Sequence, residues 1–200
     1  MLNVVIRNAR RLQQLTENMP YVTRIEGKSL KLRKEQFRLN DVILGIIEDH
    51  RNIIQETGSH IKLLYRYPLE EDSIAIEADK SRISPVIPNL VNNAVMFTKE
   101  GIISIEVNKK KKKKKKSEDD GDDNNDKEEF IVVSVKDSGI GIDPDIKARL
   151  FSKFSTKSYH GTGLGLFISK NIVDAHGGRI WAENNPKGGA TFSFTLPINK

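Results

Sequence analysis

Between residues 109 and 129 the chain carries no apolar side chain. Lys109 to Lys116 is an unbroken run of eight lysines, and Ser117 to Glu129 holds eight acidic residues against the single Lys127. Such a stretch cannot join a hydrophobic core, so the core must be assembled from the sequence on either side of it. The immediate flanks, Ile102 to Val107 and Phe130 to Lys136, both read as strands, which makes residues 109–129 a solvated, disordered insertion between them. The two charge blocks nearly cancel. The formal charge of +6 and pI near 9.4 therefore describe a mildly basic remainder, and nucleic acid is not the expected partner. Polyanion binding by the lysines is kept as a minor alternative.

The remaining sequence alternates helical and strand periods. From Leu2, apolar residues fall at Leu2, Val5, Ala9, Leu12, Leu15, Met19, Val22 and Ile25, one stripe of a helix that a lone helix cannot bury. A partner helix is needed, so dimerisation is expected, and Pro20 should kink or break the helix near Met19. Ser29 to Phe37 is a short strand or extended linker. Asn40 should cap a second helix that buries Val42, Ile43, Ile46, Ile47, Ile53 and Ile54 and ends before Gly58. Ile61 to Tyr65 and Ser73 to Ala78 read as strands joined by a Pro-containing turn. A third helix is predicted over Lys80 to Phe97, a short one over Asp143 to Phe151, a longer one over Thr162 to His176, and strands over Arg179 to Glu183 and Thr191 to Leu196. Strands interleaved with helices in this way give an α/β (α+β) two-layer sandwich, about five mixed strands on three helices, behind a long N-terminal helix. With 37% hydrophobic residues in 200, one core plus an appendage is the reasonable size.

Absence of cysteine excludes disulfides and thiolate metal sites. No apolar run reaches the ~18 to 20 residues that span a bilayer, and Arg7, Arg10 and Arg11 interrupt the first stretch, unlike a signal peptide. A cytoplasmic location is expected, with any membrane anchor lying in upstream sequence.

Three blocks carry candidate chemistry. Residues 89–94 read NLVNNA; Asn89 and Asn93, four apart, share one helix face, and a neutral amide oxygen can complete the oxygen shell of Mg2+. A polar surface stripe is an equal reading of that block alone. Residues 135–142 read VKDSGIGI directly after a strand. The Asp137 carboxylate could accept a hydrogen bond from an exocyclic amine there, while Gly139 and Gly141 let the backbone pass close to a planar ring; a plain loop is the alternative. Residues 161–166 read GTGLGL running into a helix, where exposed N–H groups and the positive end of the helix dipole suit a polyphosphate. The same glycines resemble a dinucleotide fingerprint, but no strand precedes them closely and no second βαβ half follows. Trp181 reads as core, Phe151 and Phe154 as packing anchors, and His176 as a helix C-terminal residue and not a catalyst.

In this order and spacing the blocks resemble the N box, D-x-G-x-G box and G-x-G-x-G box of the GHKL ATPases, and within them the sensor histidine kinases. LFSKF at 150–154 with Thr156 and Lys157 looks like the F box and lid lysine, and residues 10–26 look like the second dimerisation helix. The resemblance implies ATP and Mg2+ as cofactors, with Asp137 on the adenine amine, Gly139 and Gly141 along the base, and Asn93 on Mg2+ with Asn89 beside it. It also implies a lid hinge at Gly161, Thr162, Gly163, Leu164 and Gly165, and Lys157 at the γ-phosphate. It divides the chain into a partial dimerisation element, 1–27, and a catalytic domain, 28–200. The implied activity is phosphoryl transfer to a histidine for relay to a response regulator.

Departures from that pattern are specific. None of His50, His60, His160 and His176 is followed by Asp or Glu or lies on the first helix, so the phosphoacceptor is expected upstream or on another protein. Pro85 and Pro88 should disturb the helix presenting Asn89 and Asn93, and Met96 stands where many members have a lysine, with Lys99 a conceivable substitute. These features motivate a second reading, a degenerate module that dimerises with a complete kinase.

Overall fold

The computed structural model describes residues 2–27, 30–56, 59–67, 74–113, 127–156 and 161–198. A long helix α1 (Leu2–Glu26) precedes β1 (Glu35–Arg38), α2 (Leu39–Glu56), β2 (His60–Arg66), β3 (Ala75–Ala78), α3 (Lys80–Ile83) and α4 (Val86–Phe97). Then follow β4 (Glu100–Lys113), β5 (Lys127–Asp137), α5 (Pro144–Lys147), α6 (Gly165–Ala175), β6 (Ile180–Asn184) and β7 (Ala190–Pro197). A five-stranded sheet in the order β2-β4-β5-β7-β6 is antiparallel except for the parallel β2-β4 pair. The expected two-layer sandwich is therefore present, with a separate two-stranded ribbon of β1 and β3 beside it.

Period-two alternation sends Ile103, Ile105 and Val107 of β4, Ile131, Val133 and Val135 of β5 and Phe194 of β7 to one face, where they are nearly inaccessible. Ile87, Leu90, Val91 and Ala94 of α4 and Ile172 and Val173 of α6 close the core from above. Trp181 is a correction. It lies on the edge strand β6, opposite Ser193 and one residue out of phase with buried Ile180, so it faces the other side of the sheet and is only half-buried.

The charged tract is the second correction. Lys109 to Lys113 continue β4, and Lys127 to Glu129 begin β5, with Lys109 opposite Ile131 and Lys111 opposite Glu129. A ladder is held by backbone groups and needs no apolar side chain, and Glu129 takes Lys111 at 2.8 Å and Lys109 at 3.3 Å. The rest of the tract, 114–126, falls outside the described residues.

Further corrections concern the helices and Phe154. α1 runs unbroken through Pro20. Proline there removes a single helical hydrogen bond from a 25-residue helix, whose C-terminal part is anchored by buried Val22 with Leu15, Tyr21 and Ile25 on the core. Asn40 lies inside α2 and accepts the Tyr65 hydroxyl at 2.6 Å instead of capping. The buried face of α2 is Leu39, Ile43, Ile47, His50 and Ile54, which leaves Ile53 outside it and 51% exposed. The single helix predicted over Lys80 to Phe97 divides at Ser84 and Pro85. Pro85 takes the N-cap position of α4 and Pro88 its first turn, where amide N–H groups have no helical partner, so neither proline interrupts the helix that carries Asn89 and Asn93. Finally, Phe151 packs on the core as expected, whereas Phe154 is 63% exposed with φ of 60°.

The end of α6 is fixed by a buried polar junction. The Asp79 carboxylate accepts from the Arg33 and Arg82 N–H groups, the Ser81 hydroxyl and the Arg82 guanidinium, while the Asp79 N–H donates to His176 Nε2 at 3.0 Å. His176 Nδ1–H in turn donates to the Ile172 carbonyl at 2.7 Å, so the ring is the neutral tautomer. Burial pushes its pKa below the usual 6.5, against the opposing effects of the Ile172 contact and Asp79. Unfolded chain therefore protonates first: this contribution to stability is complete above about pH 6.5 and is lost as pH falls towards the depressed value. The unfolding midpoint should decline from pH 7 to pH 5 in wild type and decline less in His176→Gln, whose amide oxygen can accept from Asp79 without titrating. Parallel profiles would exclude His176 as the source.

Candidate functional site

A cavity of about 730 Å3 opens between α4, the loop following β5, the segment around residues 155 and 156, the start of α6 and one side of α1. Asn89, Asn93, Asp137, Gly141, Gly161, Thr162, Gly163 and Gly165, from all three blocks, line it together.

Asp137 ends β5 and is 5% exposed. Its Oδ1 accepts the Gly139 N–H at 2.8 Å and the Ala190 N–H at 3.2 Å, which leaves Oδ2 without a protein donor among the described residues. Burial raises its pKa, and the two N–H donors only partly oppose that rise. A half-satisfied buried carboxylate at the edge of a cavity is suited to a donor brought by a ligand.

The loop beyond it owes its path to glycine. Gly141 has φ of 78°, and a Cβ on Gly139 would lie 2.2 Å from the Phe97 carbonyl oxygen. Gly139 thus packs against the end of α4 and does not line the cavity, whereas exposed Ile140 and buried Ile142 do.

On α4 the asparagines differ. Asn89 Nδ2 donates to Ser169 Oγ at 2.9 Å, and its Oδ1 lies where a Cβ on Gly165 would be 2.2 Å away, so this amide seals α4 to the first turn of α6. Asn92 meets His50 Nε2 at 3.1 Å. Asn93 alone of the three keeps its amide for the cavity, with no side-chain hydrogen bond among the described residues. Among the described residues no group of three or more His, Asp or Glu gathers to hold a cation unaided, so a divalent ion at Asn93 would draw most oxygens from a ligand and water.

α6 begins with no side-chain cap and no acidic residue in its first turn, and Gly165 and Leu166 line the cavity, leaving first-turn N–H groups available to an anion. Gly163, at φ of 70°, approaches the Phe154 backbone so closely that a Cβ would sit 2.6 Å from it. Thr162 is buried and its hydroxyl accepts the Leu164 N–H at 3.3 Å, while Leu164 is 1% exposed and belongs to the core. Lys157 lies outside the described residues. Met96 is in the wall; Lys99 is exposed and is not.

Sequence reasoning missed several parts. Gln14, Glu17, Asn18 and Tyr21 place α1 in the wall, joined below by the Glu26–Lys153 ion pair. The Ser155 hydroxyl is buried in the same wall with no hydrogen-bond partner among the described residues. The turn between β6 and β7 supports Asp137 from behind through Ala190 and Asn185. The only signal for that turn was its Asn-Asn-Pro-Lys-Gly-Gly composition, which announces a turn but not what it touches.

Residues 78–200 match the family model for histidine kinase-, DNA gyrase B- and HSP90-like ATPases. The chain is 29% identical over 208 residues to the sensor histidine kinase WalK of Bacillus subtilis, an alignment covering 100% of this chain and 30% of WalK. Curated relatives of this kind are matched over 20–30% of their length. Among solved structures, the catalytic domain of histidine kinase ThkA superposes with a TM-score of 0.65 at 32% identity, covering 83% of this chain and 96% of that one. ThkA in complex with the response regulator TrrA gives 0.65 at 28%, covering 94% and 49%. Full-length ShkA in complex with AMPPNP gives 0.72 at 25%, covering 94% and 36%.

Proposed function

Because this chain belongs to the histidine kinase-, DNA gyrase B- and HSP90-like ATPases and carries the ATPase domain of a sensor histidine kinase, we propose that it binds Mg-ATP and transfers the γ-phosphoryl group to a histidine. The observation that carries this reading is the convergence of Asp137, Asn93, Gly161, Thr162, Gly163 and Gly165 on one cavity.

Asp137 Oδ2 accepts the adenine amine, and Gly141 with Ile142 lies along the base. N–H groups at the start of α6 hold the phosphates, and Asn93 offers its amide oxygen to Mg2+, which when bound neutralises phosphate charge. Lys157 reaches the γ-phosphate as a point charge. The protein's contribution to transfer is position and electrostatics. Residues 28–200 form the catalytic domain, and 1–27 are the second helix of a dimerisation element. Val5, Leu12 and Met19 of α1 are 60%, 65% and 56% exposed, which supports pairing with another helix and a homodimer. The acceptor histidine lies on that paired helix, upstream or on another protein, and a response-regulator aspartate receives the phosphoryl group next; the ThkA complex supports such a partner. No helix among the described residues is long and apolar enough to cross a membrane. The cytoplasmic location is part of the kinase reading, which requires ATP and a response regulator. Pro85 and Pro88 leave α4 intact, which weakens the case for a degenerate module.

The test is to mix the protein with γ-labelled ATP and a histidine kinase whose own catalytic domain is inactive but whose histidine is retained. Acid-labile label on that histidine is expected. Its absence, with nucleotide binding intact, would leave an ATP-binding module without transfer.

A further inference from the structure

Asn184 and Asn185, at the end of β6, touch no part of the cavity, yet both reach the loop that begins with Asp137. Asn184 Oδ1 accepts the Ile142 N–H at 2.6 Å and its Nδ2 donates to the Ile142 carbonyl at 3.0 Å, across 42 residues of sequence. One side chain thereby saturates both backbone groups of a buried residue, as a neighbouring strand would. Asn185 Nδ2 donates to the Asp137 carbonyl at 3.0 Å across 48 residues, while its Oδ1 accepts the Thr191 hydroxyl at 2.6 Å. An asparagine that merely formed a turn would bond its own neighbours.

The two contacts bracket the loop. Asp137 is held at one end by Asn185 and by the Ala190 N–H, and Ile142 at the other by Asn184. Gly141 lies pressed between, a Cβ there falling 3.0 Å from Asn184 Oδ1, whereas Ile140 projects 80% exposed. We propose that Asn184 and Asn185 are positioning residues that set selectivity for a purine bearing an exocyclic amine, by fixing the Asp137 carboxylate relative to the Ile142 wall. The proposal rests on the nucleotide reading above. Only an amide of this length supplies donor and acceptor together: aspartate keeps the acceptor alone, and alanine neither.

The readout is the ratio of dissociation constants for purine riboside triphosphate, which lacks the amine, and for ATP, measured by calorimetry on the full chain. In wild type the ratio should be roughly tenfold or more, as expected for one hydrogen bond to a charged group. Asn184→Ala and Asn185→Ala should compress it to about two- to threefold, Asn184→Asp to an intermediate value. Thr191→Val, which removes only the hydroxyl bonded to Asn185, should shift it the same way by less. A purely structural role would weaken both ligands equally and leave the ratio unchanged. A wild-type ratio in the folded alanine variants, or in Asn184→Asp and Thr191→Val should the alanine variants not fold, overturns the clamp alone. Failure of wild type to bind ATP saturably overturns the nucleotide reading and the clamp with it.

Discussion

Asp137→Asn should lower affinity for ATP by roughly 30- to 100-fold while leaving the nucleotide-free protein at least as stable as wild type. The affinity loss follows from replacing a charge-assisted hydrogen bond, worth about 1.5 to 3 kcal/mol, by an amide that offers the ligand amine another donor. The stability result follows from what the carboxylate costs without a ligand. Asp137 is 5% exposed, and burial raises its pKa despite the N–H groups of Gly139 and Ala190. A carboxyl whose folded-state value lies above its unfolded one penalises the fold once ionised. That penalty is absent below the ordinary carboxylate range near pH 4, grows as pH rises through the raised value, and is constant above it. Asparagine keeps an oxygen for both N–H donors and never ionises. The midpoint difference between variant and wild type should therefore widen from pH 4 upward in favour of the variant. A variant less stable than wild type at pH 7 would mean that the carboxylate charge holds the loop together.

Gly189→Ala should lose the fold's margin and the ligand together. Gly189 has φ of 79°, and a Cβ there would lie 2.1 Å from the Asp137 carbonyl oxygen and 2.9 Å from its Oδ1. Left-handed strain costs about 1 kcal/mol, and the clash is with backbone that cannot turn aside. A total near 3 kcal/mol, or on the order of 10 °C in midpoint, is expected, with ATP affinity reduced at least as much as in Asp137→Asn. Gly188→Ala is the control: its φ of 95° is as unfavourable, but the nearest atom is 3.9 Å away. It should show the smaller stability loss, about 1 kcal/mol, and near-normal binding. Equal binding by the two variants would show that Gly189 does not position Asp137.

The architecture was legible because it rests on local periodicity: alternation in β4, β5 and β7 and the apolar face of α4 each declare themselves within a dozen residues. The three blocks were legible as chemistry for the same reason. What escaped was nonlocal or a matter of register. Pro88 looked disruptive because the start of α4 could not be placed to within one turn, and that single turn decides whether a missing N–H matters. Ile53 and Trp181 have core composition, but packing rotated one out of the α2 face and put the other across the sheet from the core. Lys109 to Lys113 show that pairing with β5 can extend a strand that composition alone rejects. The contacts of Asn184 and Asn185 gave no signal beyond the turn composition of residues 184–189, since their partners lie 42 and 48 residues away.

The central claim is that one cavity binds Mg-ATP through Asp137. Titration of a fluorescent ATP analogue into the full chain, with and without Mg2+, tests it most directly. A single saturable site is expected, tightened by Mg2+, displaced by ATP and weakened roughly 30- to 100-fold in Asp137→Asn. No saturable binding, or binding indifferent to Asp137→Asn, would contradict it.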